Sequence, residues 1–432
     1  MKNLRFLLLP IIFVCSCASL KQKSSIADND VERIIRILSS DEMQGRATFT
    51  PGINKAASFI EAEFKAIGLK PLDGSDNFRQ LFYKTRIISE SQKITIGNEN
   101  IPDTKVMIIT SLPSLSYNES SVIETLTITS DESFFDSFKS IMQSEKPILA
   151  FVDKSHADAF KRLRDKSLTG RIVSEEDSKN SGAAIFVLGI DKAESFNIEF
   201  KNKIETLTLY NVAGVLPGKS KAKELVIFSA HYDHLGIIKT VEGDSIANGA
   251  DDDASGVSAV ISLAKHFKKL NINERTIIFV AFTAEEIGGF GSQHFSEKLN
   301  PDDVTAMFNI EMIGKESKFG KNSAFITGYE KSSFGSILQK NLEGTDFKFH
   351  PDPYIDQNLF YRSDNANLAA LGVPAHTIST DQIDIDKFYH TAKDEFKTLN
   401  VQNILATIQA IALSSRGIVA GTDTPTRISV MP

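Results

Sequence analysis

The chain has almost no cysteine: two in 432 residues, Cys15 and Cys17, both near the start. No internal disulfide can therefore cross-link the mature protein, and thiolate metal sites and cysteine nucleophiles are excluded with it. Any metal must be held by His, Asp and Glu. Low-complexity tracts are absent. A basic excess is also missing, because the formal charge at pH 7 is −7, which argues against a general nucleic-acid binder. The apolar run at residues 6–14 is far shorter than the roughly 20 residues that span a bilayer.

That short run is instead the first informative feature. Lys2 and Arg5 precede it and Cys15-Ser16-Cys17-Ala18 follows, as in a signal-peptide core. Val14-Cys15-Ser16-Cys17 resembles a bacterial lipoprotein signal, with Cys17 as the lipidated residue, since Cys15 would put bulky Val14 at the cleavage position. The alternative is an ordinary cleaved signal peptide. The expectation is a signal over 1–17, a polar tether over 18–29, and a lipid-anchored protein of the bacterial envelope, periplasmic or surface-facing.

Residues 30–38 and 55–67 show helical apolar spacing, the second closed by Gly68. Residues 89–205 differ in character, with short alternating segments and two buried-looking strands at 147–152 and 183–188. No ligand-like cluster occurs there, although His156 does. This stretch reads as an inserted domain between an N-terminal part, 30–88, and a main part, 206–420. In the main part, apolar runs at 225–230, 276–283 and 306–310 read as buried strands, and 324–327 and 374–379 as further strands. Residues 254–270 and 401–413 read as helices. The alternation predicts an α/β fold with a mostly parallel central sheet and helices on both faces. Residues 421–432 read as a loose tail.

Polar residues fall at the ends of those strands. His231 and Asp233 follow the first, Glu285 and Glu286 the second, and Glu311 the third, while Asp251-Asp252-Asp253 precede a helix. In open α/β sheets ligands bind outside the carboxyl ends of the strands. So many carboxylates on one rim would repel each other, and bound cations resolve that. Taken alone, the aspartates read as a helix N-cap and the glutamates as a solvated loop; the coincidence of all four features favours a site. Zinc suits a set of imidazole and carboxylate donors. Of two adjacent glutamates, one can ligate while the other accepts a proton from water.

The segments S-A-H-Y-D-H-L-G (229–236), N-G-A-D-D-D-A-S-G (248–256), F-V-A-F-T-A-E-E-I-G (279–288) and F-Y-H-T (388–391) resemble the metal motifs of the co-catalytic di-zinc aminopeptidase family. That family includes bacterial leucyl aminopeptidases, aminopeptidase Y and the glutamate carboxypeptidases. The resemblance implies the zinc-dependent exopeptidase fold, two zinc ions per chain and peptide substrates. It implies that Asp252 bridges the ions, that His231 and Glu311 complete one, and that Glu286 and His390 complete the other. Glu285 would be the general base, and Asp233 would hydrogen-bond His231 to set its tautomer. Glu311 departs from the pattern, where aspartate is usual. Arg362-Ser363-Asp364 resembles a segment near the family's substrate pocket, and the insert resembles a protease-associated domain. The other histidines, His234, His266, His294, His350 and His376, have no partner that the sequence names. Competing readings on the same fold are a carboxypeptidase or a glutaminyl cyclase; from another class, a surface binding protein on a degenerate peptidase scaffold.

Overall fold

The computed structural model describes residues 26–72, 74–174, 177–179 and 182–429. The lipoprotein-like signal and Cys17 lie outside the described residues. Strands Arg275–Phe282, Lys221–His231, Val304–Ile310 and Ala375–Ser379 lie side by side in that order and run parallel, at the centre of an 11-stranded sheet. Their carboxyl halves are buried, as strands covered on both faces must be. The register sets Phe228 beside Phe279 on one side and Phe308 on the other. Their rings stack at centroid distances of 5.6 and 4.7 Å, each pair adding roughly 0.5–1.5 kcal/mol beyond its buried area.

Alternate residues of one strand serve opposite faces. Phe228 joins a core formed with helices Asp28–Leu38, Pro51–Ile67, Gly256–Leu270 and Val401–Ser414, through Ile34, Ile60, Val260 and Ile408. Ile227 joins a smaller core with Phe295 and Leu368 from the short helices Phe290–Glu297 and Ala366–Ala370. Pro51–Ile67 stops at Gly68, whose φ of 78° is the left-handed cap that glycine supplies.

Two long strands, Arg79–Ile96 and Phe196–Leu216, pair antiparallel with each other, and the second also pairs with Arg275–Phe282. They carry a further four-stranded sheet, ordered Val106–Thr110, Ala183–Leu188, Ile148–Val152 and Glu124–Ile128, with helices Phe134–Met142 and Ala157–Leu168 packed on it. The boundaries expected for the insert, 89 and 205, fall inside these two strands. The register shifts between Ser89 and Ser91, and such a bulge interrupts the alternation that marks a strand in sequence.

Residues 421–429 are not loose. Arg275 donates to the Asp423 carbonyl at 2.6 Å and to Thr424 Oγ1 at 2.7 Å, and Ile428 is buried. Main-chain carbonyls make much of this contact, so the polar composition hid it. Among the described residues no helix is long and apolar enough to cross a membrane.

Candidate metal centre

The carboxyl ends of the parallel strands deliver the polar side chains to one rim. His231 ends its strand, Glu311 follows Ile310, and Glu285 and Glu286 follow Phe282 through a turn in which Ala284 has φ 60°. The three aspartates occupy the segment Ala250–Ser255, ahead of a helix that starts at Gly256 rather than Ala254.

Those aspartates take three different positions. Asp253 caps the helix: its carboxylate accepts the N–H of Gly256 at 2.9 Å, of Met312 at 3.1 Å and of His231 at 3.3 Å. Asp251 accepts the N–H of Gly314 at 2.6 Å and meets Lys315 Nζ at 3.2 Å, which also lies 3.3 Å from Asp386. Of the three, only Asp252 lines the cleft.

Around Asp252 the site closes. His231 Nε2 lies 3.0 Å from Oδ1, and His390 Nε2 lies 3.4 Å from Oδ2. Glu286 stands beside it, with Oε2 3.1 Å from His390 Nε2 and Oε1 2.7 Å from His234 Nδ1. His234, for which the sequence names no partner, is therefore part of the group. Its ligand atom and those of Asp252 and Glu286 all lie within 4.8 Å of one another. Its position in the turn that leaves the strand end at His231 was the available signal.

Asp233 acts differently from the expectation. His231 Nδ1 lies 3.1 Å from the Asp233 main-chain carbonyl oxygen and 3.9 Å from its carboxylate. The carboxylate accepts the N–H groups of Glu285 and Glu286 at 3.1 and 3.3 Å and the Thr48 hydroxyl at 3.2 Å. The expectation assigned the right residue but the wrong atom, because the strand-end turn aims the carbonyl, not the side chain, at the ring.

A carbonyl only accepts, so Nδ1 of His231 carries a proton, and Nε2 is the atom left to take a metal. That Nε2 is buried without a hydrogen-bond partner among the described residues, yet faces a carboxylate oxygen 3.0 Å away. Burial acts to lower the His231 pKa, but Asp252, Glu285 and Asp253 together raise it well above its usual 6.5, and a cation between the two atoms would take the place of that proton. The donor set fits zinc.

Glu285 and Glu311 line the same cleft. Burial pushes Glu285 well above the usual carboxylate range; the charges of Glu311, Asp364 and Glu286 add to this, and His231 opposes it. Glu311 Oε2 accepts the Ser363 hydroxyl and lies 3.4 Å from Asn309 Nδ2. Arg362 and Ser363 face the cleft, whereas Asp364 is buried and pushed up to about 7 by that burial. Met312, Phe325, Leu359 and Tyr389 are among the walls of the cleft.

Residues 211–414 match the model of peptidase family M28. Aminopeptidase YwaD of Bacillus subtilis is 24% identical over 216 residues, which make up 46% of this chain and 42% of that relative. The match thus spans less than half of the relative's length. In fold, a zinc aminopeptidase from Bacillus subtilis covers 92% of this chain and 96% of its own, with a TM-score of 0.55 and 15% identity. Porphyromonas gingivalis glutaminyl cyclase covers 92% and 100%, with a TM-score of 0.50 and 11% identity. The stretch that resembles peptidase family M28, residues 211–414, is the one that carries His231, Asp252, Glu285, Glu286, Glu311 and His390.

Proposed function

We propose that this chain is a zinc-dependent aminopeptidase that removes N-terminal residues from peptides with the aid of two metal ions. The observation that carries the two-ion reading is the place of Asp252 between two histidines, His231 toward Oδ1 and His390 toward Oδ2. In this reading Asp252 serves both ions, His231 and Glu311 complete one, and Glu286 and His390 the other. When bound, zinc supplies a Lewis acid for the scissile carbonyl and lowers the pKa of water.

The chain's own groups do the rest. Glu285 takes a proton from the attacking water and passes it to the leaving amine; its burial keeps the carboxyl basic enough for that. His234 binds Oε1 of Glu286 and so leaves Oε2 for the position beside His390. Ser363 and Asn309 fix the arm of Glu311, which is longer than the aspartate usual there. Apolar walls at Met312, Phe325 and Leu359 suit the side chain of the terminal residue.

Hydrolysis of free-amine and N-blocked peptides by the full chain, with and without chelator, tests this reading. Chelator-sensitive cleavage of free-amine substrates alone supports it, together with two zinc ions per chain by metal analysis. Cleavage of N-blocked peptides only, cyclisation of N-terminal glutamine with release of ammonia, or no turnover with metal bound would each replace it, by a carboxypeptidase, a cyclase or a binding protein. The signal-like start supports a lipid on Cys17 and a place in the bacterial envelope. The mass of the mature N-terminal peptide decides that, since an unmodified terminus would sink it.

A further inference from the structure

The two loops that present His231 and Asp252 are tied together by a residue from neither loop, and from outside the 211–414 match. Arg46 is 1% exposed. Its Nε donates to the Tyr232 carbonyl at 2.9 Å. Nη1 donates to Leu38 and Asn248, both at 2.6 Å, and Nη2 to Gly249 at 2.9 Å and Asp252 at 3.4 Å, again to carbonyl oxygens. One planar guanidinium therefore joins the end of helix Asp28–Leu38, the residue between His231 and Asp233, and the backbone of Asp252 itself. Five donors in a fixed fork are a property of arginine; lysine has three on a compact ammonium.

The segment around it is built to press against these loops. Gln44, Gly45 and Arg46 are all left-handed, with φ 51°, 64° and 51°, a conformation that non-glycine residues keep only where surrounding contacts impose it. A Cβ on Gly45 would lie 2.4 Å from the Ala247 carbonyl oxygen, so the backbones are in close contact. The Arg46 carbonyl accepts the His234 N–H at 3.3 Å. Exposed Asp41, from the same segment, accepts from Asn248 Nδ2 at 2.8 Å.

We infer that Arg46 is a positioning residue of the metal centre, setting the distance between His231 and Asp252 through the carbonyls of Tyr232, Asn248, Gly249 and Asp252. Metal affinity then depends on the N-terminal segment as well as on the ligand motifs. This rests on the metal reading proposed above.

The test uses the full chain, stripped of metal, as wild type, Arg46→Lys and Asp41→Ala. Zinc affinity is read by competition with a chromogenic chelator, ligand geometry by the visible spectrum of the Co²⁺-loaded protein, and folding by thermal melting. Arg46→Lys is expected to melt cooperatively, to bind zinc about 10–100-fold more weakly, and to show an altered cobalt spectrum. A folded Arg46→Lys protein with wild-type affinity and spectrum overturns the inference, because a merely structural arginine would move only the melting temperature. Should Arg46→Lys fail to fold, Asp41→Ala decides, since it removes one tie from an exposed site. A loss of about threefold or more supports the inference, and unchanged affinity overturns it. A wild-type protein that binds neither metal overturns the proposed function and this inference together. Normal wild-type metal binding and turnover with an unaffected Arg46→Lys overturns the inference alone.

Discussion

The carboxylate of Asp233 accepts the main-chain N–H of Glu285 at 3.1 Å. The loop after one strand thus holds the loop after its neighbour by the backbone, leaving the side chain of Glu285 for the cleft and that of Glu286 for His234 and His390. Asp233→Asn replaces one acceptor oxygen by an NH₂ that would face N–H donors. Its kcat/KM should fall by about 10–100-fold, measured at saturating zinc so that lost metal and lost geometry separate.

Glu285 is the carboxylate assigned to proton transfer and to no ion. Glu285→Gln keeps its shape and removes its basicity, so kcat should drop by about 10²–10⁴-fold while metal analysis still finds the wild-type zinc content. Wild-type turnover would remove Glu285 from the mechanism.

His234 holds Glu286 at 2.7 Å. His234→Ala frees that carboxylate, and zinc affinity by equilibrium dialysis should weaken by about tenfold. A value unchanged from wild type would make His234 a packing residue only.

Lys315 is a cation set between the buried Asp251 and the half-buried Asp386. Burial acts to lower its pKa, but Asp251, Asp394 and Asp386 together raise it, so it stays charged. Lys315→Met leaves those carboxylates without their counter-charge and should destabilise the fold by about 3 kcal/mol, as breaking buried pairs does. Urea unfolding of the two proteins at neutral pH measures this.

His376 is fully buried, with Nδ1 donating to the Thr327 carbonyl at 2.8 Å and Nε2 facing the Ser332 hydroxyl at 2.8 Å. Burial lowers its pKa from 6.5 to about 4. Above pH 6.5 the ring is neutral in both states. Below it the unfolded chain takes the proton and the folded one does not, so stability falls until about pH 4. The full loss is about 3 kcal/mol. In His376→Gln this part of the slope should vanish, which unfolding free energies between pH 7 and 4.5 would show.

Much of the α/β architecture is visible in the pattern of residues. Buried parallel strands are continuous apolar runs, and their ends place His231, Glu285, Glu286 and Glu311 on one rim. Bulges and main-chain contacts are less visible. The boundary expected at 89 falls at the bulge between Ser89 and Ser91, inside one long strand, and the carbonyl contacts of residues 421–429 leave no mark in composition. His234 escaped because a histidine in a turn has no periodicity to place it.

Residue types and chain order determined which donors exist here: imidazoles and carboxylates at strand ends, with no thiolate to compete. Which donor faces which was decided only in three dimensions. Asp251, Asp252 and Asp253 are chemically identical neighbours, yet one meets Lys315, one enters the cleft and one caps a helix. Asp233 offers His231 its carbonyl instead of its carboxylate, and Arg46 reaches across 206 positions to the backbone of Asp252. Each of these depends on the direction of a bond and on contact between distant segments, and a linear order of side chains specifies neither until the chain has folded.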